Sequence, residues 1–167
     1  VVTNVHRVLG IVNGTTNFVL TEMEGGKSYA DALADAQARG YAEADPTDDV
    51  SGADAAAKMA ILATVAFNSR VPIGDVATTG ITEIDPLDVA AARELDMVIR
   101  LVGTARLVDG HYDVSVQPAL VDKQHPLAKV DGAFNAIRLQ GDSIREITLE
   151  GPGAGGIETA SAVIADI

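Results

Sequence analysis

Residues 50–68 constrain this chain most, because they read as one long helix with no clear polar face. Ala55, Met59, Leu62 and Ala66 recur at helical spacing, and Ile61 and Val65 widen the apolar stripe until little is left for solvent. A surface helix shows one apolar face, whereas a helix that is apolar nearly all round has to be covered on every side. The stretch therefore predicts a central helix, around which the remaining residues must build a core.

There is enough chain to do so. The sequence has 167 residues, 47% hydrophobic and 22% charged, a globular composition suited to one domain over 1–167. Residues 7–12 form a β-branched run that predicts a strand. It reaches a turn at Asn13-Gly14, after which Thr15 or Thr16 is expected to cap a helix ending at Gly25-Gly26. Ser28 caps a second helix over 29–39, with Gly40 in the favoured place just past its end. Beyond the long helix, Pro72 ends the helical region, and Asp85-Pro86 forms an N-cap and first-turn pair for a helix over 87–95. Residues 98–108 and 112–121 flank Asp109-Gly110, a hairpin dipeptide. A second hairpin, 133–140 and 143–149, turns at Gly141-Asp142, and a glycine loop over 151–156 leads into a last helix. Helices first and hairpins later predict an α+β fold, a mixed/antiparallel sheet with helices packed on one face.

Charge and composition narrow the function. Twelve Lys+Arg against 24 Asp+Glu leave a net charge of −12, which argues against a protein that grips nucleic-acid phosphates. No run of about 20 apolar residues could cross a bilayer, and no signal peptide opens the chain. The sequence has no cysteine, so disulfides, thiolate zinc sites and a cysteine nucleophile are excluded; this fits a reducing, cytoplasmic setting. His6, His111 and His125 lie far apart, with no metal-ligand spacing, and no metal site is expected. The chain starts at Val1 and stops within an apolar helical pattern, which predicts a piece of a longer protein.

Three features could carry chemistry. Asp54 and Lys58 stand four residues apart, on one helix face. Such a pair is usually a surface ion pair worth about 0.3–0.5 kcal/mol. Its alanine-rich neighbours predict instead a largely buried pair with its own polar partners, and a lysine short of water is suited to moving a proton. Spacing leaves both readings open. The loop over 43–49 carries Glu43, Asp45, Asp48 and Asp49. It is no calcium loop, since Val50 occupies the glycine position. It is either a solvated turn whose Asp48 or Asp49 caps the long helix, or a set of acceptors for a substrate ammonium or hydroxyl. The glycine loop fails as a dinucleotide fingerprint because Glu158 stands at the third glycine, though a strand, loop and helix N-terminus still offer an edge to a nucleotide.

Taken in order, GIVNGTTNF (10–18), GYAEADP (40–46), DVSGADAAAK (49–58) and GPGAGGIETASA (151–162) resemble homoserine dehydrogenase. Each motif is modest, but four in this order are specific, and the resemblance covers essentially the whole chain. Glu158 departs from the family pattern, which often has proline there. The resemblance implies the substrate-binding, catalytic and dimerisation domain of an enzyme that interconverts aspartate 4-semialdehyde and homoserine with NADP or NAD, on the route to threonine, methionine and isoleucine. It places the nucleotide-binding domain, a sodium site and a second catalytic lysine in a segment before Val1. By position, Lys58 resembles the lysine that handles the hydroxyl proton, and Asp54 the carboxylate beside the substrate. Glu43 resembles the acid that holds the α-ammonium, with Tyr41, Asp49, Gly14 and Thr15 lining the pocket. Gly155 and Gly156 fall in the loop resembling the family's cofactor-side glycines. A small-molecule substrate and a homodimer follow from the same resemblance. The competing reading is a non-catalytic dimerisation or regulatory module that keeps the fold, since a hairpin edge could pair across a twofold axis in either case.

Overall fold

The first predicted strand becomes the middle of a sheet. In a computed structural model that describes residues 4–108, 110–153 and 156–167, β1 (Val5–Ile11) is hydrogen-bonded on both sides. It is antiparallel to β3 (Met97–Val108) on one side and to β5 (Phe134–Gly141) on the other. β4 (His111–Asp122) and β6 (Arg145–Pro152) extend the sheet as hairpin partners of β3 and β5. A two-residue strand, β2 (Ala77–Thr78), adds to β4 in parallel and gives the order β2-β4-β3-β1-β5-β6. The sheet is mixed, as expected; β2 is too short to leave a periodic signal.

Alternation along the strands sorts the two faces. Val8, Ile99, Leu101, Ala105, Val114 and Val116 join the main core with residues of α1 (Gly14–Glu24), α2 (Tyr29–Ala38), α4 (Ala53–Phe67) and α5 (Pro86–Glu94). Leu9, Ile11, Val98, Val102 and Val121 belong to a second, smaller cluster, completed by Leu127, Ala128 and Val130 around a single 3₁₀ turn (Pro126–Lys129). These helices thus share one face of the sheet. α6 (Gly156–Ala165) follows β6 at the end of the chain.

The long helix is not continuous. α3 (Thr47–Val50) is followed by Gly52 at φ +85, and α4 begins at Ala53. A left-handed residue breaks the helical ladder, and glycine adopts it without steric penalty. Nor is α4 covered all round: Ile61 is 64% and Val65 76% exposed. Its buried side is narrow and small, Ala55, Ala56, Met59, Ala60 and Ala63, and lies on the sheet. Two further expectations are corrected. Asn13, not Thr15 or Thr16, caps α1, and neither Asp48 nor Asp49 caps a helix, because both fall inside the first turn of α3. The Asp85-Pro86 signal does form a reciprocal capping box with Asp88.

One buried charge was not anticipated. Arg100 on β3 is fully buried and donates to Glu24, to Asp131 Oδ1 at 3.3 Å and to the carbonyls of Ile99 and Ala128. Burial pushes the Glu24 carboxyl up, against the opposing pull of the Arg100 guanidinium. Arg100 thereby links the end of α1 to the segment that enters β5.

Candidate active site

The N-terminus of α1 is fastened by Asn13, whose Oδ1 accepts from the Thr16 N–H at 2.8 Å. Its Nδ2 donates to Asp49 Oδ1 at 2.6 Å and to Asp54 Oδ2 at 2.9 Å. Lys58 Nζ reaches the same Asp54 Oδ2 at 2.7 Å, one helical turn on. Asp49 and Asp54 are brought together by the corner between α3 and α4. That corner is clamped from outside. The Ile81 N–H donates to the Val50 carbonyl at 2.8 Å, and a Cβ on Gly80 would stand 2.1 Å from the same oxygen. Only glycine lets this segment pass so close.

These groups open into a cleft of about 1330 Å³. Its walls are the start of α1, the loop before α3, the α3–α4 corner, and the segment from Asp131 to Asn135 with the end of β6. Lys58, Asp54, Glu43, Tyr41, Asp49, Gly14 and Thr15 all line it. Gly14 allows its closest approach, since a Cβ there would lie 2.6 Å from the Ala133 carbonyl oxygen. Thr15 Oγ1 donates to the Tyr41 carbonyl, and the Tyr41 ring packs on Phe18 with centroids 5.1 Å apart. Gln37 Nε2 donates to the Glu43 carbonyl at 3.1 Å, while the Glu43 side chain stays exposed. Asp45 sits below the usual carboxylate range because its carboxylate accepts from the Thr47 hydroxyl and N–H.

The expected burial of the Asp54–Lys58 pair is not found. The Lys58 side chain is 46% exposed and Asp54 33%, because both face the cleft and not the sheet. Of the glycines, Gly156 opens α6 just past Gly153 on the cleft rim, and Gly155 lies outside the described residues. Several lining groups went unnoticed in the sequence: Asn13, Glu22, Arg39, Asp131 and Asn135. An asparagine directly before a helix was the one available signal. Glu22, Glu43, Asp45, Asp48, Asp49, Asp54 and Asp131 line these walls against two lining cations, Arg39 and Lys58, while Lys27 and Arg100 pair with Glu22 and Asp131 from outside the cleft. Such a cleft attracts a cationic ligand and presents a single lysine among its lining residues. Among the described residues no group of three or more His, Asp or Glu is placed to hold a metal ion. A smaller cavity of about 280 Å³ between α5 and β3–β4 is apolar apart from Asp88 and lacks convergent polar groups.

The family model described as homoserine dehydrogenase matches residues 1–167. The chain belongs to the homoserine dehydrogenase family. The homoserine dehydrogenase of Mycobacterium tuberculosis is 51% identical over 167 residues, which cover 96% of this chain and 38% of that protein. The NAD(+)-dependent homoserine dehydrogenase of Pseudomonas canavaninivorans is 45% identical, covering 95% of this chain and 45% of its own length. Among solved structures, the homoserine dehydrogenase of Thiobacillus denitrificans superposes with a TM-score of 0.95 at 42% identity, over 98% of this chain and 38% of that one. A hyperthermophilic archaeal homoserine dehydrogenase mutant in complex with NADPH gives 0.80 at 34% identity, over 98% and 46%. The chain thus spans less than half the length of each of these relatives.

Proposed function

We propose that this chain is the substrate-binding, catalytic and dimerisation domain of a homoserine dehydrogenase, which interconverts L-homoserine and L-aspartate 4-semialdehyde with NADP or NAD in the cytoplasm. The reading rests on one observation above the family membership: Glu43, Asp49, Asp54 and Lys58, from three separate segments, line a single acidic cleft. An amino-acid substrate brings an ammonium, for which Glu43 and the two aspartates are acceptors. It also brings a hydroxyl or aldehyde oxygen, for which Lys58 is the matching donor.

When bound, the nicotinamide supplies or accepts the hydride. The rim at Pro152 and Gly153, at the end of the strand that precedes α6, is the side on which an edge of such a group would lie. The rest is done by this chain's own side chains. Glu43 holds the ammonium and so turns the reacting carbon toward the open side of the cleft. In the reductive direction Lys58 Nζ stabilises the oxygen as charge builds on it, then gives it a proton; in the oxidative direction it takes that proton. Asp54 keeps the ammonium of Lys58 aimed at that place through the 2.7 Å contact. We further propose a homodimer, for which exposed Ile147 and Leu149 on β6 and Ile157 and Ile164 on α6 offer apolar surface.

The test is homoserine-dependent reduction of NADP⁺ or NAD⁺ by the full-length protein. Turnover that depends on Lys58 supports the reading. A full-length protein that binds homoserine without oxidising it would favour the non-catalytic module.

A further inference from the structure

The buried side chain of Asn13 has every polar group committed. Oδ1 accepts from the Thr16 N–H and hydroxyl, both at 2.8 Å, and Nδ2 sends one N–H to Asp49 and the other to Asp54. The amide orientation is fixed by chemistry, because only nitrogen donates to carboxylates and only oxygen accepts from an N–H. Asp49 and Asp54 lie on different helices with left-handed Gly52 between them, so neither helix alone sets their separation. Two carboxylates at one place repel. Among the described residues Lys58 bonds only to Asp54, and Asp49 has no cation of its own. Asn13 is the one described side chain that donates to both.

We infer that Asn13 is a positioning residue for the proposed reaction: its amide holds the Asp49 and Asp54 carboxylates side by side in the cleft wall, leaving one oxygen of each without a donor among the described residues. The inference rests on the functional reading above for what the carboxylates bind, but the bridge itself does not.

Asn13→Asp in the full-length protein separates bridging from capping. Aspartate is nearly isosteric and caps a helix as well as asparagine, but it replaces two donors with a third carboxylate. It touches Asp49 from α3 and Asp54 from α4, and the other charged groups of the same cleft are Asp48 from α3, Lys58 from α4, Arg39, Glu43 and Asp45 before α3, Glu22 from α1, and Asp131. Three adjacent carboxylates share a proton that each alone would lose, which raises the variant's folded-state pKa above its unfolded value. The variant therefore matches wild type below about pH 4 and loses stability as pH rises through the raised value. The expected result is a kcat/KM for homoserine lowered roughly 10- to 100-fold at pH 8, mainly through KM, with a melting deficit that grows from pH 5 to pH 8. Asn13→Ser, which keeps the cap and a single donor, should fall between the two. A wild-type kcat/KM at pH 8 in Asn13→Asp would overturn the inference, as would a melting deficit that does not change with pH. If the wild-type protein does not oxidise homoserine, the functional reading fails, and the melting series still decides whether Asn13 bridges the two carboxylates.

Discussion

Gly103 on β3 lies directly against Met59 on α4: a Cβ on the glycine would stand 2.4 Å from the methionine Cγ and 2.5 Å from its sulfur. Gly103 pairs across the sheet with Gly10 on β1, where a Cβ would come within 3.7 Å of the same sulfur. The paired glycines leave a trough in the sheet, and the fully buried Met59 fills it. The depth at which α4 rides on the sheet is set here, at the residue next to Lys58.

Gly103→Ala should therefore overpack the trough and destabilise the domain by about 1–3 kcal/mol. The expected fall in melting temperature, followed by circular dichroism, is roughly 2–12 °C. Combining it with Met59→Ala should be less damaging than the two single changes summed, because the smaller side chain removes the clash. Strict additivity would show that the two residues do not meet.

The motivation for a second prediction is Lys58 Nζ at 2.7 Å from Asp54, in the wall of an acidic cleft. In the full-length enzyme Lys58→Ala should lower kcat by roughly 10²-fold or more, the scale of lost acid–base help. Glu43→Gln should mainly raise KM if Glu43 holds the ammonium and Lys58 the proton, as proposed. Steady-state kinetics with homoserine resolve the two. Near-normal kcat in Lys58→Ala, with a lower melting temperature, would make Lys58 a structural partner of Asp54.

His125 supplies a pH dependence. Burial, with repulsion from Arg138 added, holds its imidazole below the ordinary 6.5. Its Nδ1 accepts the Leu127 N–H at 3.2 Å, which requires that nitrogen to be unprotonated. A depressed folded-state pKa contributes stability that is present above the unfolded value and lost as pH falls through the folded one. Glu24, with its raised carboxyl, changes in the opposite sense, so the comparison is made between variants. Melting temperature should decline on acidification from pH 7 to pH 5 less steeply in His125→Asn, which keeps a capping side chain without the titration, than in wild type.

The 167-residue chain taken alone should not oxidise NADPH with aspartate semialdehyde, because its sequence carries no dinucleotide fingerprint to hold and orient the cofactor. Measurable turnover by the purified chain would contradict this.

Much of the local structure was legible because short-range chemistry writes it. Ser28 caps α2, Asp85 and Pro86 open α5, and Gly110 at φ +80 turns the β3–β4 hairpin, each from a residue whose own geometry favours that place. The α3–α4 break was not legible. A single glycine in an alanine-rich run lowers helix stability by only about 1 kcal/mol. What fixes Gly52 in the left-handed region is a distant segment, Thr78 to Ile81, pressed against that corner.

The sequence by itself determined most element boundaries outside the α3–α4 corner, the α+β class, and the motifs whose carboxylates and lysine line the cleft. All of these follow from hydrogen bonds and torsions within a few residues, or from side-chain chemistry in an ordered pattern. Only the tertiary structure decided which face of α4 is covered, that Arg100 is buried against Glu24 and Asp131, and that Asn13 joins Asp49 to Asp54. Those outcomes depend on surfaces far apart in the chain meeting at ångström depth. That depth is set by paired glycines under Met59 and by Gly80 against Val50, contacts that exist only once the sheet has formed.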